Sequence, residues 1–177
     1  EYLDKDKTYY EATSGTSNLI VEGFERYGYN VVPSEGKDFF DCEPDDVYDG
    51  IITNPPYSIK DKFIEHCYAL GKPFALLLPV TSFQGGKRGK MFMEHGMSTL
   101  VYNNRIDFTG KGSPTFGNAW FMWGIIPPNT IYWIDNQKDI STTTLEEFLQ
   151  CRTAKCWRSL VPNTPMLHDS LRGTPEI

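Results

Sequence analysis

At 177 residues the chain has the length of one domain, long enough to bury about 70% of the surface its unfolded form would expose. Hydrophobic residues at 40%, charged residues at 23% and the lack of any apolar stretch near about 18 residues exclude a disordered chain and a membrane span. A net charge of −6 excludes gripping nucleic acid by bulk electrostatics, so any phosphate contact has to be local. Cys42, Cys67, Cys151 and Cys156 are expected as reduced thiols, and with His66, His95 and His168 equally scattered no metal site is expected. The chain opens on Glu1 with no charged-then-apolar leader, so a short preceding stretch and a cytoplasmic location are expected.

In chain order, 8–12 reads as a short strand that breaks at Ser14-Gly15. A helix follows over 18–27, with Leu19, Val21 and Phe24 for the sheet face and Gly28 as its stop. Residues 29–32 read as a strand ended by Pro33, 45–53 as a strand and 60–70 as a helix closed by Gly71. The run 74–80 is apolar without alternation, as in a strand buried on both faces of a mostly parallel sheet. Beyond it come a Gly- and Lys-rich loop at 85–90, a short helical stretch near 91–94 and a strand over 99–108. The aromatic strand 118–126 is expected to pair antiparallel with 99–108. After Pro127-Pro128 the chain holds one more strand, 131–134, a helix over 144–151 and an unassigned tail. The expected division is therefore 1–128 as the main domain and 129–177 as a small extension, for target recognition or an accessory role.

The most specific signal is Asn54-Pro55-Pro56-Tyr57, directly after the apolar Ile51-Ile52. Two prolines cannot continue a central strand, since each lacks an amide donor and fixes φ near about −65°. The strand must end at Asn54, leaving the Asn54 side-chain oxygen and the Pro55 carbonyl as stiff acceptors beside the flat face of Tyr57. Such a pair can accept both hydrogens of an exocyclic amine on a heterocycle stacked on the tyrosine. That draws the nitrogen lone pair out of conjugation and readies a weak nucleophile for attack.

The tetrapeptide resembles the signature of the S-adenosylmethionine-dependent amino-methyltransferases of adenine N6 and cytosine N4, most like phage or bacterial DNA N6-adenine enzymes. The resemblance extends over about 3–126 and implies an α/β, Rossmann-like methyltransferase fold, mostly parallel with an antiparallel edge hairpin. It makes Asn54, Pro55, Pro56 and Tyr57 the catalytic residues. The turn at Tyr10–Ser17 resembles the family's cofactor loop, with Glu11 and Gly15 matching, Ala12 between them, and Ser17 in place of a second glycine. Glu35 falls where the family binds the ribose hydroxyls, and Asp38-Phe39 where it holds the adenine amine and face. Asn54 completes the implied S-adenosylmethionine contacts.

On the target side, Lys87, Arg88 and Lys90 in the Gly-rich loop, helped by Lys111, are candidates to hold a nucleic-acid backbone, and Phe83 and Phe116 to wall the pocket. A base inside a duplex would have to be flipped onto Tyr57. The resemblance implies methylation of adenine N6, in DNA rather than RNA. The stretch 129–177 is short for a recognition domain, so the expected specificity is for a short sequence or is supplied by a protein partner, with Arg152, Lys155 and Arg158 as candidate phosphate contacts or solubilising groups on a helix. Two alternatives stay open: the same chemistry on RNA or a protein glutamine, which the acidic balance favours, and a methyltransferase-like binding subunit without turnover.

Overall fold

The computed structural model describes residues 2–15, 18–41, 47–106 and 116–134. Four short parallel strands form one half of a seven-stranded sheet: β1 (Thr8–Glu11), β2 (Asn30–Pro33), β3 (Gly50–Thr53) and β4 (Phe74–Pro79). The order across the sheet is β2-β1-β3-β4-β6-β5-β7, with β5 at Ser98–Tyr102, β6 at Asn118–Trp123 and β7 at Ile131–Ile134. Helix α1 (Leu19–Arg26) links β1 to β2, α2 (Lys60–Leu70) links β3 to β4, and α3 (Gly86–His95) precedes β5.

β6 runs antiparallel to both β4 and β5 and sits between them, so the antiparallel pair predicted from the aromatic run is present. Its register sets Pro79 of β4 opposite Asn118, the first residue of β6. β7 then pairs parallel with β5 and forms the outer strand. Residues 131–134, expected in a separate extension, thus belong to the same sheet as the first strands. The helix expected over 144–151 and the rest of the extension lie outside the described residues, as do the ends of the strands expected over 45–53 and 99–108.

Every residue of β4 is buried, because the sheet is covered on both faces. Consecutive residues feed opposite cores: Ile52, Leu77 and Trp120 join Val21 and Phe24 of α1, while Ile51, Leu76 and Phe121 join Phe63 and Ile64 of α2. Trp120 is satisfied inside its core by donating from Nε1 to the Tyr102 hydroxyl at 2.8 Å. No helix among the described residues is long and apolar enough to cross a membrane.

The stretch 85–90, expected as a flexible loop, is instead the start of α3, which begins at Gly86. Glycine disfavours a helix by about 1 kcal/mol relative to alanine, and Gly86 and Gly89 together read as a loop. Tertiary contacts override that preference. Arg88 donates to the Asp61 carboxylate on α2 and to the carbonyls of Ser82, at 3.0 Å, and Gln84. Lys87 meets Glu65 on α2 at 2.6 Å, and Met91 and Phe92 pack against the core.

Candidate active site

In an open α/β sheet, ligands bind beyond the carboxyl ends of the strands, where the strand order reverses. Here that is the β1–β3 region, since the chain passes outward from β1 to β2 and returns to β3. A cleft of about 440 Å³ lies there, lined by the turn Ala12–Gly15, by Ser34, and by Gly36–Phe40 after β2. Pro56, Ile59 and Phe63 line it from the β3–α2 connection.

The turn after β1 is held by the buried Glu11, which is only 2% exposed. Its Oε1 accepts from the Thr13 N–H at 3.1 Å, the Thr13 hydroxyl at 2.8 Å and the Thr53 hydroxyl at 2.5 Å. Burial raises the Glu11 pKa, and these hydrogen bonds from Thr53 and Thr13 oppose the rise in part. One carboxyl group thereby ties the turn after β1 to the last residue of β3, immediately before Asn54. The Thr13 hydroxyl also approaches the Asn54 carbonyl at 3.4 Å. The sequence placed Glu11 as a direct cofactor contact; it lies outside the cleft lining, and its observed partners are the two threonines.

A second latch joins the turns after β1 and β2. The Ser34 N–H donates to Ser14 Oγ and the Ser34 hydroxyl to the Ser14 carbonyl, both at 2.5 Å, and the Gly36 N–H donates to that same carbonyl at 2.9 Å. The Glu35 N–H donates to Ser14 Oγ at 3.3 Å. These bonds hold Glu35 at φ 54°, a left-handed conformation uncommon for a residue with a side chain. They also press two glycines together, since a Cβ on Gly15 would come within 3.0 Å of Gly36 Cα. Gly15 therefore allows the close packing of the two loops and leaves the cleft wall open.

Ala12, Gly15, Asp38 and Phe39 of the sequence-predicted cofactor set line this cleft, together with Pro56 of the tetrapeptide. Glu35 is exposed and, like Asn54, lies outside the lining residues. Asp38 is exposed, with Oδ1 accepting from the Phe40 N–H at 2.9 Å, whereas Phe39 is buried and stacks on Phe63 with ring centroids 5.1 Å apart. Thr13, Ser14, Ser34, Thr53, Phe40, Ile59 and Phe63 were not foreseen. Ile59 and Phe63 sit four residues apart at the start of α2, a spacing that places both on one side of that segment. Ser17 lies outside the described residues.

β3 ends at Thr53, and Asn54 stands exposed beyond it, as the two prolines require. No hydrogen bond among the described residues uses the Asn54 side chain or the Pro55 carbonyl, so both acceptors are unengaged, with Asn54 exposed and Pro55 buried. Pro56 turns the chain into a single helical turn, Tyr57–Ile59, with its carbonyl accepting from the Ile59 N–H at 3.1 Å. Tyr57 is half-buried, its ring edge-on to that of Phe116 at 5.8 Å and 67°. Its hydroxyl accepts from Asn118 Nδ2 at 3.4 Å, and burial raises its pKa, offset in part by that bond. Phe83 and Phe116 are 38% and 42% exposed. Lys90 is exposed, while Lys87 and Arg88 are engaged with α2; Lys111, Arg152, Lys155 and Arg158 lie outside the described residues.

The fold is a Rossmann-like α/β sheet, mostly parallel with an antiparallel pair and flanking helices. A modification subunit assigned to a type I restriction enzyme of Vibrio vulnificus YJ016 superposes with a TM-score of 0.52 over 90% of this chain and 50% of its own, at 14% identity. A chain of a type I restriction-modification system, solved in a study of complex assembly and conformational transition, gives 0.53 over 86% of this chain and 46% of its own, also at 14% identity. This chain thus spans about half the length of these structural neighbours. No protein-family model and no curated protein matches it.

Proposed function

We propose that the chain is an S-adenosylmethionine-dependent methyltransferase acting on the exocyclic N6 amine of adenine in DNA. The observation that carries this reading is the junction at the ends of β1 and β3. There the unengaged acceptors of Asn54 and Pro55 adjoin a preformed cleft, and Glu11, Thr13 and Thr53 fix one to the other.

The cleft suits the cofactor. Its volume falls within the usual range for small-molecule sites, about 300 to 1,000 Å³. Phe39, Phe40, Phe63, Ile59 and Pro56 give apolar surface for a flat base, and Asp38 is an acceptor for an amine. Ala12–Gly15 would hold the amino-acid end, with Gly15 leaving the wall free of a side chain. When bound, S-adenosylmethionine supplies an electrophilic methyl group on its sulfonium. The remaining work falls to the chain. Asn54 Oδ1 and the Pro55 carbonyl accept the two amine hydrogens and keep the nitrogen lone pair directed at the methyl carbon, while Tyr57 supports the flat ring. The proton lost from the methylated amine leaves to solvent. No side-chain base is needed, because the positioned acceptors stabilise the charge that develops on nitrogen in the transition state.

Adenine is chosen on the resemblance of the tetrapeptide to that of adenine enzymes. DNA is favoured because both structural neighbours come from type I restriction-modification systems. Those systems also support a protein partner, which would supply the backbone grip that Lys87 and Arg88, tied to α2, do not offer. One competing reading is the same transfer to RNA or to a protein glutamine, and the net charge of −6 favours its protein arm. Tritiated methyl transfer into separate DNA, RNA and protein pools, followed by digestion and chromatography of the labelled product, tests the choice. The expected product is N6-methyladenine from DNA. Label in RNA or protein replaces the substrate, label as N4-methylcytosine replaces the base, and no label in any pool overturns the enzyme reading.

A further inference from the structure

Asn118 was not singled out by its sequence context, yet the fold gives it a specific place. It opens β6 directly opposite Pro79 at the carboxyl end of β4, and the loop before it is stapled there by the Val80 N–H donating to the Gly117 carbonyl at 2.8 Å. The side chain is 3% exposed. One end of its carboxamide meets the Tyr57 hydroxyl at 3.4 Å; the other, Oδ1, is buried with no hydrogen-bond partner among the described residues. The tyrosine hydroxyl can serve either end of the amide, accepting from a nitrogen or donating to an oxygen. Two residues earlier, the half-exposed Phe116 lies edge-on to the same tyrosine ring. Ser82 Oγ, in the segment leaving β4, is likewise buried without a partner among the described residues.

A buried amide with an unused end costs stability, and a structural role alone would be served better by an apolar side chain of similar size. We propose that Asn118 is a target-binding residue: it positions the Tyr57 hydroxyl with one end of its carboxamide and hydrogen-bonds the edge of the planar amine substrate with the other. The inference rests on the methyltransferase reading, and it adds a second polar reader to a pocket otherwise defined by Asn54, Pro55 and the aromatic rings. Asn54 engages the reacting amine, whereas Asn118 reads a different edge of the same ring system and so contributes to the choice of base.

The test compares wild type with Asn118→Leu and Asn118→Ala in three measurements: thermal melting, calorimetric titration with S-adenosylmethionine, and binding of a fluorescein-labelled oligo(dA) in the presence of S-adenosylhomocysteine. Asn118→Leu is expected to melt at the wild-type temperature or above, bind the cofactor unchanged, and lose about tenfold in oligo(dA) affinity, equivalent to about 1.4 kcal/mol. If Leu disturbs packing and lowers the melting point, Asn118→Ala carries the affinity comparison. Wild-type oligo(dA) affinity in both variants overturns the inference, and so does a wild type that binds cofactor but no oligo(dA). A wild type that binds no cofactor overturns the methyltransferase reading itself, and the inference falls with it.

Discussion

The two halves of the sheet's carboxyl edge treat their polar groups in opposite ways. Around β1–β3, Glu11 takes three donors on a single oxygen, and Ser14 and Ser34 interlock through both backbone and hydroxyl groups. Around β4–β6, Asn118 Oδ1 and Ser82 Oγ are buried without partners among the described residues, and Phe83 and Phe116 keep 38% and 42% of their surface exposed. The first region is preorganised, with its loops braced around the cleft. The second has unfilled hydrogen-bonding capacity and uncovered aromatic surface, which suits a surface completed by a bound target or a partner. Preorganisation matters most where a small ligand is held, whereas a polymer substrate brings its own binding area.

The largest effect expected is from Asn54→Ala. It touches neither latch, so it should leave S-adenosylmethionine affinity within a few-fold while lowering the methyl-transfer rate by about 100- to 1,000-fold, as for other removed transition-state hydrogen-bonding groups. Initial-rate kinetics beside calorimetry separate the two quantities. On the braced side, Gly15→Val should destabilise the fold by about 1–3 kcal/mol, because its Cβ would press on Gly36 at 3.0 Å; a lowered urea midpoint at constant slope would register it. Cofactor affinity should fall with it.

On the open side the contrast is between neighbouring cations. Arg88→Ala should cost stability by about 1–3 kcal/mol, since its 12% exposed side chain holds Asp61 and two carbonyls, while the salt dependence of DNA binding stays unchanged. Lys90→Ala should leave stability unchanged and reduce the salt slope by about 1 if that face meets phosphate. Fluorescence anisotropy against salt concentration distinguishes them.

The smallest effect concerns pH. Burial raises the Glu11 pKa, so the folded state takes up a proton more readily than the unfolded state between the ordinary carboxylate value of 4.5 and the raised one. The associated stability is full below the unfolded value and is lost as pH rises through the folded one. Glu11→Gln keeps an acceptor for the threonines without the charge, and should flatten this slope and match or exceed wild-type stability at neutral pH. Urea midpoints of both proteins across pH 4 to 8 would show whether the difference grows with pH in that direction.

Much of the frame could be read from the chain because local rules were sufficient. Pro55-Pro56 forced β3 to stop just before them, the unalternating 74–80 run marked a strand buried on both faces, and the aromatic run at 118 announced β6. The resemblance, and no local rule, singled out Asp38-Phe39, and both residues line the cleft. What escaped depends on groups brought together from distant positions. The two glycines at 86 and 89 gave no sign that Asp61 and Glu65 on another helix would fix Arg88 and Lys87 and turn a loop into α3. Thr13, Ser14, Ser34 and Thr53 are ordinary loop and strand residues until the parallel pairing of β1 with β2 and β3 sets them against one another. Asn118 acquires its meaning only from its register opposite Pro79 and its approach to Tyr57.

Calorimetric titration of S-adenosylmethionine into the wild-type chain and into Asn54→Ala tests the central claim most directly. Saturable one-to-one binding with closely similar affinity in both proteins is predicted, because the cleft is built by the turns after β1 and β2 and by Pro56, with Asn54 reserved for the amine. The absence of saturable binding to the wild type would contradict the assignment of the cleft and, with it, the methyl-transfer reading.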